Sequence, residues 1–342
     1  MEFNHVHTAH CENGVVTSLL RFHGITEINE PLAFGIGSGL FYAHIPFIKI
    51  AGGPMVAFRN MPGRIFSRTC KALNVKIVRK KFKSTEEAKA FLDQKIEEKT
   101  PVGCQVGVFH LTYFPPEYRF HFNAHNLIVY GKDGDNYLIS DPVLENVTRL
   151  DARQLERARF AQGPLAPKGH VYYPVDVPAL DKVLLRKGII NGINRNVRDM
   201  LLIPAPGLFI GTDGIKFTAR RIRKIRDKLG LKESGLYLGQ IVRMQEEIGT
   251  GGAGFRFLYG AFLEQAADYL QDDRLLTASD DITKAGDLWR NTAVMMAGIY
   301  KGRLTEQKEF TAIADLMYEI SDIEKGVFKY LKKLNLKSSR IH

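Results

Sequence analysis

The chain has 342 residues, 45% hydrophobic and 25% charged, with a net charge of +11 and a pI near 9.4. That length suits two domains, each able to bury a real core, and the absence of any run of about 18 apolar residues excludes a membrane-spanning helix. Three cysteines without a Cys-x-x-Cys pair exclude a disulfide scaffold and point to free thiols in a reducing, cytoplasmic setting. The beginning of the sequence lacks the basic-then-apolar layout of a signal peptide, so none is expected. The positive charge calls for an acidic partner or surface. Nucleic acid is the weaker choice, because neither an RNA recognition motif signature nor zinc-finger spacing occurs.

In chain order, His5, His7 and His10 crowd the stretch before Cys11. Zinc sites usually take ligands from two separated pairs, and with no second pair in sight no metal is expected. Cys11 opens an apolar helical run (Val15, Val16, Leu19, Leu20) that stops at Gly24. A thiol there meets the positive end of the helix dipole, which favours the reactive thiolate. Next, Glu30 to Leu40 reads as a glycine-rich turn feeding an apolar strand from Phe41 to Ile50. Its Gly35-Ile36-Gly37-Ser38-Gly39 core matches neither a dinucleotide fingerprint nor a P-loop. A structural turn is one reading, and a substrate approaching backbone N–H groups at Gly37 and Ser38 is the other.

Residues 84–98 carry a capping signature and a helical period, Ala88, Phe91, Leu92 and Ile96. Strands are expected over 101–106 and 108–113. His125 opens a further strand, His125-Asn126-Leu127-Ile128-Val129-Tyr130, and Asp141 closes the next one, Tyr137-Leu138-Ile139-Ser140. A turn at 131–135 between them makes a hairpin that can lay Asp141 beside His125. Asp141 then orients the imidazole, and the imidazole deprotonates Cys11. The chain order Cys, His, Asp is that of papain-like enzymes. The competing reading is a structural Cys, a core His and a turn-capping Asp. His5, six residues before Cys11, occupies the offset at which papain-like enzymes place an oxyanion donor, although they use Gln there.

Between 161 and 178 Gly and Pro punctuate an irregular stretch, read as the join between domains. Beyond it a helical period predicts helices over 179–200, 213–229, 234–248, 253–271, 279–300 and 305–333. Arg220, Arg221, Arg223, Lys224, Arg226 and Lys228 form a basic run there, either a solvated face or a docking face for an acidic helix. Gly251, Gly252 and Arg256 sit where two helices join, as a tight turn or as an anion cradle. Cys70 and Cys104 have apolar neighbours and read as core. The expected architecture is α+β: a papain-like catalytic domain over 1–160, an irregular linker over 161–178, and a mostly helical domain over 179–342 that forms part of the pocket or a lid.

Two stretches resemble the butirosin-biosynthesis protein H family of acyltransferases. The first joins the His10-Cys11 helix, the 34–40 glycine turn, His125 to Gly131 and Ser140-Asp141-Pro142. The second runs from Gly249 through Arg256 to Ala267. The family is named for an enzyme that moves an aminoacyl group from the phosphopantetheine arm of an acyl carrier protein onto an aminoglycoside amine. The resemblance implies an acyltransferase with Cys11 as acyl carrier, His125 as proton shuttle and Asp141 as its support. It implies no bound cofactor, a donor bearing phosphopantetheine, an acidic carrier protein as partner and a small-molecule acceptor. A cysteine peptidase, amidase or thioesterase using the same triad is the alternative, and a non-catalytic basic binding protein is another. The acyl group, the acceptor and whether the chain forms a homo-oligomer are left open.

Overall fold

The computed structural model describes residues 1–50, 53–201 and 209–336. The chain opens with helix α1 (Cys11–Phe22) and a short α2 (Glu30–Ile36), followed by strands β1 (Leu40–Ile50) and β2 (Gly53–Arg59). Helix α3 (Arg64–Ala72), strand β3 (Lys76–Lys80), helix α4 (Thr85–Glu97) and strand β4 (Val102–Val106) come next. Strands β5 (His125–Asp133), β6 (Asn136–Ser140) and β7 (Thr148–Asp151), helix α5 (Ala152–Arg159) and strand β8 (Val171–Asp176) complete the mixed part. The rest is helical: α6 (Lys182–Leu201), α7 (Gly211–Val242), α8 (Arg256–Leu270), α9 (Arg274–Tyr300) and α10 (Gln307–Leu334). Among the described residues no helix is long and apolar enough to cross a membrane.

The chain forms two compact units that interleave in sequence: Met1–Ala33 with Pro62–Leu185, and Phe34–Met61 with Arg186–His342. In the first unit an antiparallel sheet runs β3-β8-β4-β5-β6-β7. A core of Leu92, Val102, Cys104, Val106, Leu127, Val129, Tyr137, Ile139 and Leu155 seals α4 and α5 onto it. Helix α1 packs against β5, β4 and β8, and its residues 11–20 are all buried. A helix with no exposed face is read as core, which fits its Val15-Val16 and Leu19-Leu20 pairs. Helix α4 begins as its capping signature predicts, with Ser84 Oγ accepting from Glu87 N at 3.1 Å.

In the second unit β1 and β2 form a separate hairpin lying against α7, and α7, α8, α9 and α10 pack on one another. Here α7 comprises two helical segments that meet at Gly230, between the helices expected over 213–229 and 234–248. It is bent at Gly230 (φ 77°), whose left-handed backbone costs glycine little.

Three expectations fail. The 161–178 stretch is not a linker, because β8 lies inside the sheet between β3 and β4. Pro174 is tolerated there because it faces Ile77 beside a register shift and extends past the β4 pairing, which involves only Tyr172 and Val171. Residues 34–61 do not belong with a 1–160 domain, since the β1–β2 hairpin joins the helical unit. Finally, 108–113 forms a 3₁₀ turn over Val108–His110 and no strand.

Candidate active site

The approach to Cys11 is tied down by carboxylates. Glu30 accepts from Ala9 N at 3.0 Å and His10 N at 2.8 Å, fixing the chain that enters α1. Glu12, fully buried, accepts from Ile65 N at 3.1 Å and Phe66 N at 3.3 Å at the start of α3, where negative charge meets the positive helix end. His10 caps α1, its imidazole accepting from Asn13 N at 3.4 Å. Thr8 N donates to Pro142 O at 2.7 Å, joining the Cys11 approach to the loop after Asp141. Gly14 makes this possible, because a Cβ there would collide with Pro142 and the Thr8 hydroxyl.

The β4–β5 register sets Val106 opposite His125, and β6 ends at Ser140, one residue before Asp141. His125 Nε2 donates to Asp141 Oδ2 at 2.7 Å, and the Cys11 charge acts on the same imidazole. With Nε2 engaged by the carboxylate, Nδ1 is the ring nitrogen left for another partner. Tyr113 OH donates to the same Asp141 oxygen at 2.7 Å, and Val143 N donates to Oδ1 at 3.3 Å. Burial pushes the Tyr113 hydroxyl far above its ordinary range, reinforced by the Asp141 charge, so it remains a donor. Cys11, His125 and Asp141 are 6%, 7% and 0% exposed, so the three groups lie in a low-dielectric setting where charge interactions are strong. Cys70 and Cys104 are also buried, and burial pushes their thiols up to about 12 and about 11, leaving them unreactive.

Burial works against the charged imidazole of His125, but the charges of Asp141 and Cys11 and hydrogen bonds to both outweigh it and push its pKa up to about 10. The folded protein therefore holds this proton more tightly than the unfolded chain, whose histidine titrates near 6.5. The stabilisation is complete below 6.5 and is lost as the pH rises toward about 10. Thermal unfolding of the wild type is expected to show this alkaline decline, and His125→Gln is expected to show a shallower one. Parallel pH profiles would contradict the assignment.

His5 is not an oxyanion donor. Its Nδ1 pairs with Ser140 Oγ at 2.8 Å and its Nε2 with Leu144 O at 2.9 Å, so both ring nitrogens are engaged. His5 instead braces the two ends of the segment that carries Asp141. His5→Ala is expected to destabilise the protein by about 1–3 kcal/mol and to slow acylation less than about tenfold. A loss of about 10²-fold or more with unchanged stability would restore the oxyanion role.

The remaining candidates lie in the second unit. Gly37 and Ser38 are buried, with Ser38 O accepting from Asn60 Nδ2 at 2.6 Å, which makes this segment a structural turn. The cradle expected around Gly251 and Gly252 is filled by the protein itself. Gly252 N donates to Thr250 Oγ1 at 3.1 Å, and Ala253 N to Glu246 at 3.1 Å. Arg256 is fully buried: its Nε and Nη2 pair with Glu324 at 2.9 and 3.0 Å, and Nη1 donates to Gly254 O at 2.8 Å. An arginine so engaged is a core element, and the anion-binding reading fails. Among the described residues no cluster of His, Cys, Asp and Glu is arranged to hold a metal ion.

Tyr113 and Asn126 are the site residues that sequence reasoning left without a role. Asn126 Nδ2 approaches Cys11 Sγ at 3.7 Å, and an amide inside the otherwise apolar strand 126–130 was the available signal, because a buried polar group needs partners. A thiol at a helix N-terminus with a His–Asp pair on an antiparallel sheet is the arrangement expected of a papain-like cysteine enzyme. Residues 10–142 match the family model described as butirosin biosynthesis protein H, N-terminal, and residues 153–331 match a domain of unknown function, DUF4872. The second match spans over half of the sequence, and the chain belongs to the DUF4872 family. No curated protein matches the sequence. Among solved structures, a chain described as a C39-like peptidase from Bacillus anthracis is similar at 16% identity with a TM-score of 0.36, covering 52% of this chain and 96% of its own.

Proposed function

We propose that the protein is a cysteine-dependent acyltransferase that moves an acyl or aminoacyl group from a phosphopantetheine thioester on a carrier protein to an amine or hydroxyl. The observation that carries this reading is the 2.7 Å His125–Asp141 hydrogen bond on an imidazole that also feels the Cys11 charge. The Cys11 thiolate attacks the thioester carbonyl carbon, and the carbonyl electron pair moves onto oxygen. Collapse of that adduct expels the donor thiolate, which takes the proton held by His125. Exchange of one thioester for another costs little, so a thioester donor suits a thiol nucleophile. In the second half His125 takes the proton of an incoming amine or hydroxyl as it attacks acyl-Cys11, and the Cys11 thiolate departs.

Burial of the three groups supports transfer over hydrolysis, because water must be kept from the acyl-enzyme. The match of residues 10–142 to a family model described by butirosin biosynthesis supports a small-molecule acceptor. For the donor, the +11 charge favours an acidic carrier. Arg220, Lys224 and Lys228 form an exposed stripe at helical spacing on α7, flanked by Phe217 and Leu229 around a cleft of about 240 Å³, and offer such a carrier a complementary face.

The test supplies acyl-loaded carrier protein with and without a primary amine and identifies the product. An amide that appears only with the wild-type protein is expected. Free acid as the sole product would make the protein a thioesterase, and turnover of peptides without carrier would make it a peptidase.

A further inference from the structure

With both ring nitrogens of His5 engaged elsewhere, Asn126 offers a side-chain donor beside Cys11. We infer that the Asn126 side-chain amide donates a hydrogen bond to the oxyanion formed when Cys11 is acylated, an inference that rests on the acyl-transfer reading above. Asn126 Nδ2 stands 3.7 Å from Cys11 Sγ. The oxygen that receives the carbonyl electron pair is bonded to the carbon that Sγ attacks. A donor at that separation from sulfur reaches this oxygen when the acyl carbonyl is turned to the Asn126 side of Cys11.

The polarity of the amide is fixed by its neighbours. The same Nδ2 donates to Ala124 O at 3.1 Å, and a carbonyl only accepts, so the NH₂ group and not the oxygen must face this side. On the other side Tyr172 OH donates to Asn126 Oδ1 at 2.7 Å. Burial raises the Tyr172 pKa well above its ordinary value, with the nearby Glu12 and Cys11 charges adding to it, so the phenol keeps its proton and remains a donor. One N–H of Asn126 is thus committed to Ala124, and the second points at the reacting sulfur.

The clamp is built into the sheet. Asn126 pairs across the ladder with Gln105 and Gly103 with Tyr172, so the tyrosine on β8 is set beside β4 next to the asparagine on β5. Gly103 has no side chain because a Cβ there would strike the Tyr172 ring. Asn126 is 4% exposed and Tyr172 3%. A donor held in this way needs no reorganisation as the charge develops, which is the condition under which an oxyanion contact has its largest effect. The chemistry completes the step given above: the carbonyl π bond breaks as the S–C bond forms, the negative charge on oxygen is met by the Asn126 N–H, and the charge returns when the donor thiolate leaves.

Two rates on the intact protein separate this role from a structural one. Acylation of Cys11 by an acyl-pantetheine thioester forms an oxyanion; alkylation of Cys11 by iodoacetamide displaces iodide and forms none. Asn126→Ala is expected to slow acylation by about 10²–10³-fold while alkylation stays within about threefold of wild type. Tyr172→Phe, which leaves the amide in place without its clamp, is expected to slow acylation by about tenfold, again without a matching fall in alkylation. Unchanged acylation in Asn126→Ala overturns the inference. If both rates fall together in Asn126→Ala, Tyr172→Phe decides: a fall in acylation alone upholds the role, and a joint fall or no change overturns it. Wild-type protein that is alkylated at Cys11 but takes no acyl group would overturn the acyl-transfer reading before any variant is compared, and the inference with it.

Discussion

Cys11→Ala is expected to lower carrier-dependent acyl transfer by at least about 10⁴-fold, and Asp141→Asn to approach the same loss. In the proposed reaction the cysteine supplies the atom that carries the acyl group, and neither Cys70 nor Cys104 can replace it, because both thiols are buried in the core and held protonated. The aspartate effect comes through the imidazole. Asp141 Oδ2 accepts from both His125 Nε2 and Tyr113 OH, which leaves the other ring nitrogen to serve the sulfur. An amide at 141 can turn its NH₂ toward Nε2, forcing the proton onto Nδ1 and removing the base from the thiol. Steady-state rates on an acyl-carrier substrate check both variants, with circular dichroism to confirm the fold. An Asp141→Asn variant within about tenfold of wild type would reduce Asp141 to a packing group.

The second large effect is on stability. Arg256→Ala is expected to destabilise the helical unit by about 3–5 kcal/mol, because it strands a buried Glu324 carboxylate. Glu324 accepts from Arg256 through both oxygens and from Trp289 Nε1 at 2.7 Å, while the guanidinium lies 5.2 Å from the Trp289 ring centre and 5.6 Å from that of Phe58. Removing the arginine leaves the buried carboxylate with the neutral Trp289 N–H but no opposite charge to balance it. Replacing both, as Arg256→Met with Glu324→Leu, is expected to recover most of the loss, because two apolar side chains avoid the desolvation cost. Urea unfolding of the single and double variants measures this. A single variant within about 1 kcal/mol of wild type would contradict the role assigned to the pair.

These two predictions mark the boundary of what the sequence made legible. The catalytic side rests on local signals: a capped helix beginning at Cys11, and one hairpin whose turn brings Asp141 back to His125. Helix existence was readable for the same reason, since periodicity and end signals are local. Long-range contacts were not. Arg256 resembled an anion ligand because its partner Glu324 lies 68 residues further along the chain. His5 resembled an oxyanion donor because nothing local foretold its bonds to Ser140 and Leu144. Strand β8 was hidden behind Pro174, whose effect depends on which neighbours extend past it. The attachment of 34–61 to the helical unit depends on contacts such as Asn196 Nδ2 to Leu40 O at 2.7 Å, which no window of sequence displays.

The most direct test of the central claim is intact-protein mass spectrometry after incubation with acyl-pantetheine and acyl-carrier thioesters of varied chain length, comparing wild type with Cys11→Ala. The account predicts a mass increase equal to one acyl group on wild type, located on the peptide containing Cys11 and lost on adding an amine acceptor, with none on the variant. An unmodified wild type with thioester intact across the whole series, or an equal adduct on Cys11→Ala, would contradict it.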